Sequence, residues 1–178
     1  MNKFRMSASS RTHSFIIQSF FDLIAYKNFK KITIQDILEE SQVSKGTFYK
    51  HFIDKYDLLK QAYHYLYEEM KESLFILDNR IDIQNYLYTI NRIRIDYTNI
   101  IQIKDNEIDI RGNFLKDLSD LYKTEHRDST PIEANLYANQ ILCTLDYLTS
   151  LNRDIEEQDV YSVFNIGRKV SFQLLNAY

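Results

Sequence analysis

Between Ser44 and His51 the chain sets five hydrogen-bond donors, Lys45, Thr47, Tyr49, Lys50 and His51, around Gly46, with no acidic side chain among them. Ammonium, hydroxyl and imidazole donors suit the oxygens of a phosphate backbone and the acceptor edges of bases. Gly46, near the start of the segment, has no side chain and so permits close approach by another backbone. Phe48 is interleaved with the donors. Together with Ile37 and Val43 it pins two short helices at a steep angle and leaves the outer face of residues 44–51 free. A rod of this kind is only ~13 Å long at about 1.5 Å per residue. It fits a groove roughly 12 Å wide.

The elements that must hold this rod can be read from caps and periodicity. Ile16, Phe20, Leu23 and Ile24 share one face of a helix over about 10–27, and Asn28 is placed to end it in the left-handed conformation. Thr33 is an N-cap with Asp36 three residues on, a capping-box arrangement, and opens a short helix buried through Ile34, Ile37 and Leu38 and ending near Ser41. Ser44 caps the next helix, which runs to about Phe52. Asp54 caps a long fourth helix on which Leu58, Ala62, Leu66 and Met70 step by four. Two helices of eight or nine residues cannot bury a core alone, so the first helix and the start of the fourth must cross them.

Composition narrows the alternatives. The 178 residues include only three glycines and one proline, too few for the turns of an all-β or doubly wound fold. Gly46, Gly112 and Gly167 lie too far apart to cradle a nucleotide phosphate. Cys143 stands alone and the four histidines show no HExxH spacing, so neither a disulfide framework nor a compact zinc motif is expected. No nucleophile sits in a recognisable activating context; an enzyme is not expected, nor a cofactor. The longest apolar run, Leu74 to Leu77, is far below the ~20 residues that span a bilayer. The first fifteen residues have no apolar leader core, and a cytoplasmic protein is expected. Net charge is −3 but unevenly spread: residues 1–60 carry ten basic against six acidic side chains, the remainder twelve against nineteen. A basic head on an acidic body suits a nucleic-acid reader with a second, separate function.

The stretch Thr33 to Leu59 resembles the helix-turn-helix of the TetR family of bacterial regulators. The matching residues are Thr33, Ile37, the run Val43-Ser44-Lys45-Gly46-Thr47-Phe48-Tyr49, then His51-Phe52, and Lys55 with Leu58-Leu59. Where the family commonly has Ala-Gly, this chain has Ser41-Gln42; a left-handed Gln42 costs roughly 1 kcal/mol relative to glycine. The resemblance implies an all-α protein with a three-helix head (1–53) joined by a long fourth helix to a helical body for effector binding and dimerisation (54–178). It implies a homodimer reading near-palindromic double-stranded operator DNA, with no membrane role. Matching by position, Lys45, Gly46 and Thr47 would face base edges. Thr33, Tyr49, Lys50, His51 and Lys55 would hold phosphates. The function implied is a transcriptional repressor released by a small-molecule effector; the alternative is a regulator whose body answers to a protein partner or has no ligand.

The body carries no motif. Its helices are expected at about 82–104, with a break near residues 96–98, then 109–128, 132–152 and 157–177. Pro131 is favoured at a helix start. Tyr63, His64, Tyr67, Tyr97 and Tyr147 are candidates for an effector pocket, against the simpler reading that most are half-buried helix residues with solvated hydroxyls. Ile132, Leu136, Ile141, Leu145 and Leu148 read as one apolar face, and Cys143 as a small core residue. Gly167 inside a helix costs about 1 kcal/mol unless close packing needs it. That points to a subunit seam of Leu145, Leu148, Phe164, Gly167, Val170 and Leu174.

Overall fold

The computed structural model describes residues 8–74, 83–151 and 153–163. Seven α-helices follow one another: α1 (Ala8–Tyr26), α2 (Ile34–Ser41), α3 (Lys45–Tyr49), α4 (Lys55–Leu74), α5 (Ile83–Ile101), α6 (Ile110–Glu125) and α7 (Pro131–Ser150). A 3-10 turn, Phe29–Lys31, joins α1 to α2, and residues 157–163 are again helical. The all-α reading therefore holds for the described residues.

Local chemistry accounts for the helix starts. Thr33 accepts from the Asp36 amide at 3.2 Å while Asp36 accepts from the Thr33 amide at 2.8 Å, closing the expected capping box. Thr130 and Glu133 do the same at α7, with Pro131 in the first turn. Asp54 accepts from the amides of Tyr56 and Asp57 at the head of α4, and Asp57 accepts from the Ile53 amide. Asp109 caps α6 through the Gly112 amide, 2.9 Å away.

Four boundaries differ from the sequence reading. Asn28 is not left-handed: at φ −59 it caps the 3-10 turn, accepting from the Lys30 amide at 3.0 Å. α3 closes after Tyr49, its last turn tightened by the Lys50 amide donating to Thr47 O. α5 runs unbroken through residues 96–98, with the Thr98 hydroxyl donating back to Arg94 O at 2.7 Å. α6 ends at Glu125, and the following turn closes on His126.

One hydrophobic cluster runs from end to end of the molecule. In the head it joins Ile16, Phe20, Ile37, Phe48 and Phe52 to Leu58 and Leu59 of α4; farther along it takes in Leu66, Ile90, Tyr97, Phe114 and Leu142. α1 lies against α2, α4 and α5, α4 against α5, and α6 along α7. The head is thus packed directly on the body through α1 and α4.

Candidate nucleic-acid interface

Backbone geometry at the turn between α2 and α3 sets the angle of the exposed rod. α2 ends when Gln42 takes φ 50 and ψ 32, the one left-handed non-glycine among the described residues. Val43 then leads to Ser44, whose hydroxyl accepts from the Thr47 amide at 3.1 Å and starts α3. Ser41, buried at the end of α2, satisfies its hydroxyl on Ile37 O. Lys27, the residue after α1, pairs with Asp36 at 2.7 Å and ties α2 to the end of the first helix. That ammonium, with the amide and hydroxyl of Thr33, holds the Asp36 carboxyl down at about 2.

The inner side of α3 is fully committed. Phe48 is 0% exposed and Phe52 2%, and their rings meet at 5.5 Å. The outer side is open: Lys45, Gly46, Tyr49 and Lys50 are exposed, and Thr47 and His51 half-buried. Tyr49 stands edge-on to Phe48 at 5.3 Å, which steadies the ring while leaving it 48% exposed. A methyl group built on Gly46 would meet nothing nearer than the Ser44 hydroxyl, at 3.9 Å. The fold itself therefore does not demand glycine there.

Thr33 lies on the surface at the start of α2, but its hydroxyl is engaged by both the amide and the carboxylate of Asp36. His51 sits beside His13 of α1, ring centroids 5.9 Å apart, and Gln61 donates to its carbonyl at 3.4 Å. Lys55, expected to anchor a phosphate, is engaged within the fold. Its ammonium donates to Ile32 O at 3.0 Å and Phe29 O at 3.2 Å, and lies 4.7 Å from the Phe29 ring. Phe29 O also accepts from the Ile32 amide, and Lys55 adds a charged donor to it and to Ile32 O.

The five candidate effector-pocket residues do not converge. Tyr63, Tyr67 and Tyr97 all set their rings edge-on against Phe114, each 5.8 Å away. Their hydroxyls are satisfied by Asp117, the Asp117 carbonyl and Asp146 respectively, and burial together with these acceptors pushes the Tyr63 and Tyr97 phenols up. His64 instead lines a groove between α1 and α4 with His13, Ile17, Gln61, Tyr65, Glu68 and Glu69. Tyr147 is on the outer surface of α7.

The seam assignment needs correction as well. Leu145 and Leu148 are 1% and 0% exposed within the single chain, filling its own core beside Leu142. Phe164, Gly167, Val170 and Leu174 lie outside the described residues. The face read as one stripe splits in two: Ile141, Leu145 and Leu148 point inward, whereas Ile132 (71% exposed) and Leu136 (65%) point outward with Tyr147 and Cys143. Cys143 is therefore a surface residue. Residues 132, 136, 143 and 147 fall on one helical stripe, a spacing visible in the sequence. Sequence reasoning also missed Tyr56, whose hydroxyl donates to Asp105 at 3.0 Å and ties α4 to the loop between α5 and α6. The 49-residue separation leaves no local signal for that bond.

A tight left-handed turn, a capped short helix with donors outward and aromatics inward, and a long helix behind it define a helix-turn-helix head on a helical body. Residues 16–62 match the family described as bacterial regulatory proteins, tetR family, and the head of this chain belongs to it. An uncharacterized HTH-type transcriptional regulator, YuxN of Bacillus subtilis (strain 168), is 29% identical over 90 residues. That match covers 51% of this chain and spans about a third, 31%, of the relative. In fold, the chain is similar to the dihydroxyacetone kinase operon activator DhaS, with a TM-score of 0.57 and 19% identity over 87% of this chain and 93% of that one. Among the described residues no helix is long and apolar enough to cross a membrane.

Proposed function

We propose that the whole chain is a DNA-binding transcriptional regulator of the cytoplasm, a repressor that a small molecule releases from its operator, with residues 1–53 as reading head and 54–178 as body. The observation that carries the reading is the division of α3: Phe48 fully buried, Lys45, Gly46, Tyr49 and Lys50 outside. Lys45 and Thr47 read base edges beside a backbone brought close at Gly46, and Tyr49, Lys50 and His51 hold phosphates. Two heads are needed to read a near-palindrome, with half-site centres roughly one helical turn apart. The outward stripe Ile132, Leu136, Cys143 and Tyr147 of α7 supports a homodimer seam there.

Selection of DNA from a random pool at two salt concentrations tests this reading. The expected result is a palindromic enrichment whose affinity falls with salt, with a slope near −0.9 per phosphate neutralised. Lys45→Ala relaxes preference at one base position, while Lys50→Ala weakens all sequences alike. Salt-insensitive binding, or no enrichment, excludes the reading. A body that answers to a protein partner, or to nothing, is the second reading. It is favoured by the Tyr63, Tyr67 and Tyr97 rings closing on Phe114, which uses the candidate pocket tyrosines as core.

A further inference from the structure

Three parts of the head meet at one side-chain amide. Gln61 of α4 lies with its Oε1 2.6 Å from His13 Nε2 of α1, and its own nitrogen donates to the His51 carbonyl at 3.4 Å and to Asp57 Oδ1 at 3.2 Å. Asp57 in turn accepts from the Ile53 amide at 2.8 Å, so the corner between α3 and α4 is gripped at His51 and again at Ile53. A carbonyl and a carboxylate can only accept, so the Gln61 nitrogen must face them and its oxygen must face His13. His13 Nε2 therefore carries a proton and donates. The His13 ring also stacks on Phe52, centroids 5.0 Å apart and planes 21° from parallel, and lies 5.9 Å from the His51 ring. His13, Gln61 and His51 are all half-buried.

We propose that Gln61, seated on His13, is a positioning residue for DNA reading that holds the main chain of His51 where its imidazole meets a phosphate. The role rests on His51 holding a phosphate and adds what keeps that residue in place. α3 has only five helical residues, so His51 lies beyond it, at a corner that the helix alone does not orient. The buried Phe48 and Phe52 rings anchor this corner, but apolar burial is non-directional. Hydrogen bonds carry direction, and with both amide hydrogens and the oxygen engaged Gln61 has one way to face. His13 ties that amide to α1, which also carries Ile16 and Phe20 into the core of the head. The attitude of the phosphate-facing corner is thus referred to the first helix.

Titrating a duplex selected by the native chain with the full-length native protein, Gln61→Met, His51→Ala and the double variant tests it. Gln61→Met keeps the length of the side chain and removes its three bonds, and affinity should fall roughly two- to tenfold, the worth of one net hydrogen bond. In the His51→Ala background the same substitution should cost nothing further, a coupling that a merely structural role would not produce. His13→Phe keeps the stacked ring and loses only the donor; it should repeat the pattern, so poor folding of Gln61→Met does not end the test. Imaging the imidazole nitrogens by NMR gives a readout without DNA: the neutral His13 ring should carry its proton on Nε2 in the native chain and shift toward a mixture of tautomers in Gln61→Met. Additive losses, unchanged affinity in the single Gln61 and His13 variants, or a native His13 ring protonated on Nδ1 alone would each overturn the proposal. A native chain that selects no duplex sinks the reading of the head, and this role with it.

Discussion

The Lys55 ammonium lies 3.0 Å from the carbonyl oxygen of Ile32, and with Phe29 O at 3.2 Å this makes Lys55 a clamp that holds the 3-10 turn to the start of α4. Removing the charge while keeping the stem, as in Lys55→Met, takes the charged donor from both carbonyls and leaves Phe29 O only the Ile32 amide. We expect a loss of about 1.5–3 kcal/mol in urea unfolding, the range for hydrogen bonds to a charged group. The salt slope of DNA binding should stay where it was. A slope smaller by about 0.9, with stability untouched, would return Lys55 to the phosphate contacts.

Gly46 predicts effects of opposite sign in one substitution. Alanine meets no atom nearer than 3.9 Å and is the better helix former, so Gly46→Ala should raise stability by up to about 1 kcal/mol. On DNA the same methyl group stands where the rod comes closest, and affinity should fall tenfold or more. Titrating a labelled duplex decides the matter: unchanged affinity means the glycine serves no close approach.

Gln42 is strained where glycine is not. Its φ of 50 places the Cβ against the following carbonyl, and its side chain is exposed, so little contact is lost on truncation. Gln42→Gly should stabilise the chain by up to about 1 kcal/mol, reduced by the freedom glycine adds to the unfolded state. A drop in the unfolding midpoint would show that the Gln42 side chain contributes more than its exposure suggests.

Acid should weaken the α2 cap. The Asp36 carboxyl is held at about 2 in the fold, below its ordinary 3.8, so its stabilising effect is present above about pH 4 and disappears as pH falls toward 2. Melting curves of the native chain and Asp36→Asn should differ near neutrality and converge across that window. A gap that persists at about pH 2 would assign the loss in the variant to something other than the charge.

What the sequence determined by itself is local. Thr33 with Asp36, Ser44 before Thr47, Asp54 before Asp57 and Pro131 at its helix start all act within a few residues, where a cap and its amide meet whatever the rest of the chain does. The inward set of α3 was legible for the same reason, since one turn of helix separates Phe48 from the donors around it.

Only the tertiary structure decided the rest. Lys55 meets carbonyls 23 and 26 residues earlier in the chain, contacts that its position in the sequence could not show. Periodicity marked α7 as rich in apolar residues but not which of them α5 and α6 would cover; Leu145 and Leu148 went inward and Ile132 and Leu136 stayed out. The tyrosines, Tyr56 among them, follow the same rule. Whether a ring lines a space or fills it, and whether a carboxylate finds a cation, depends on helices that meet only when the chain has folded, because side-chain contact and charge proximity are set by distance in space rather than along the sequence.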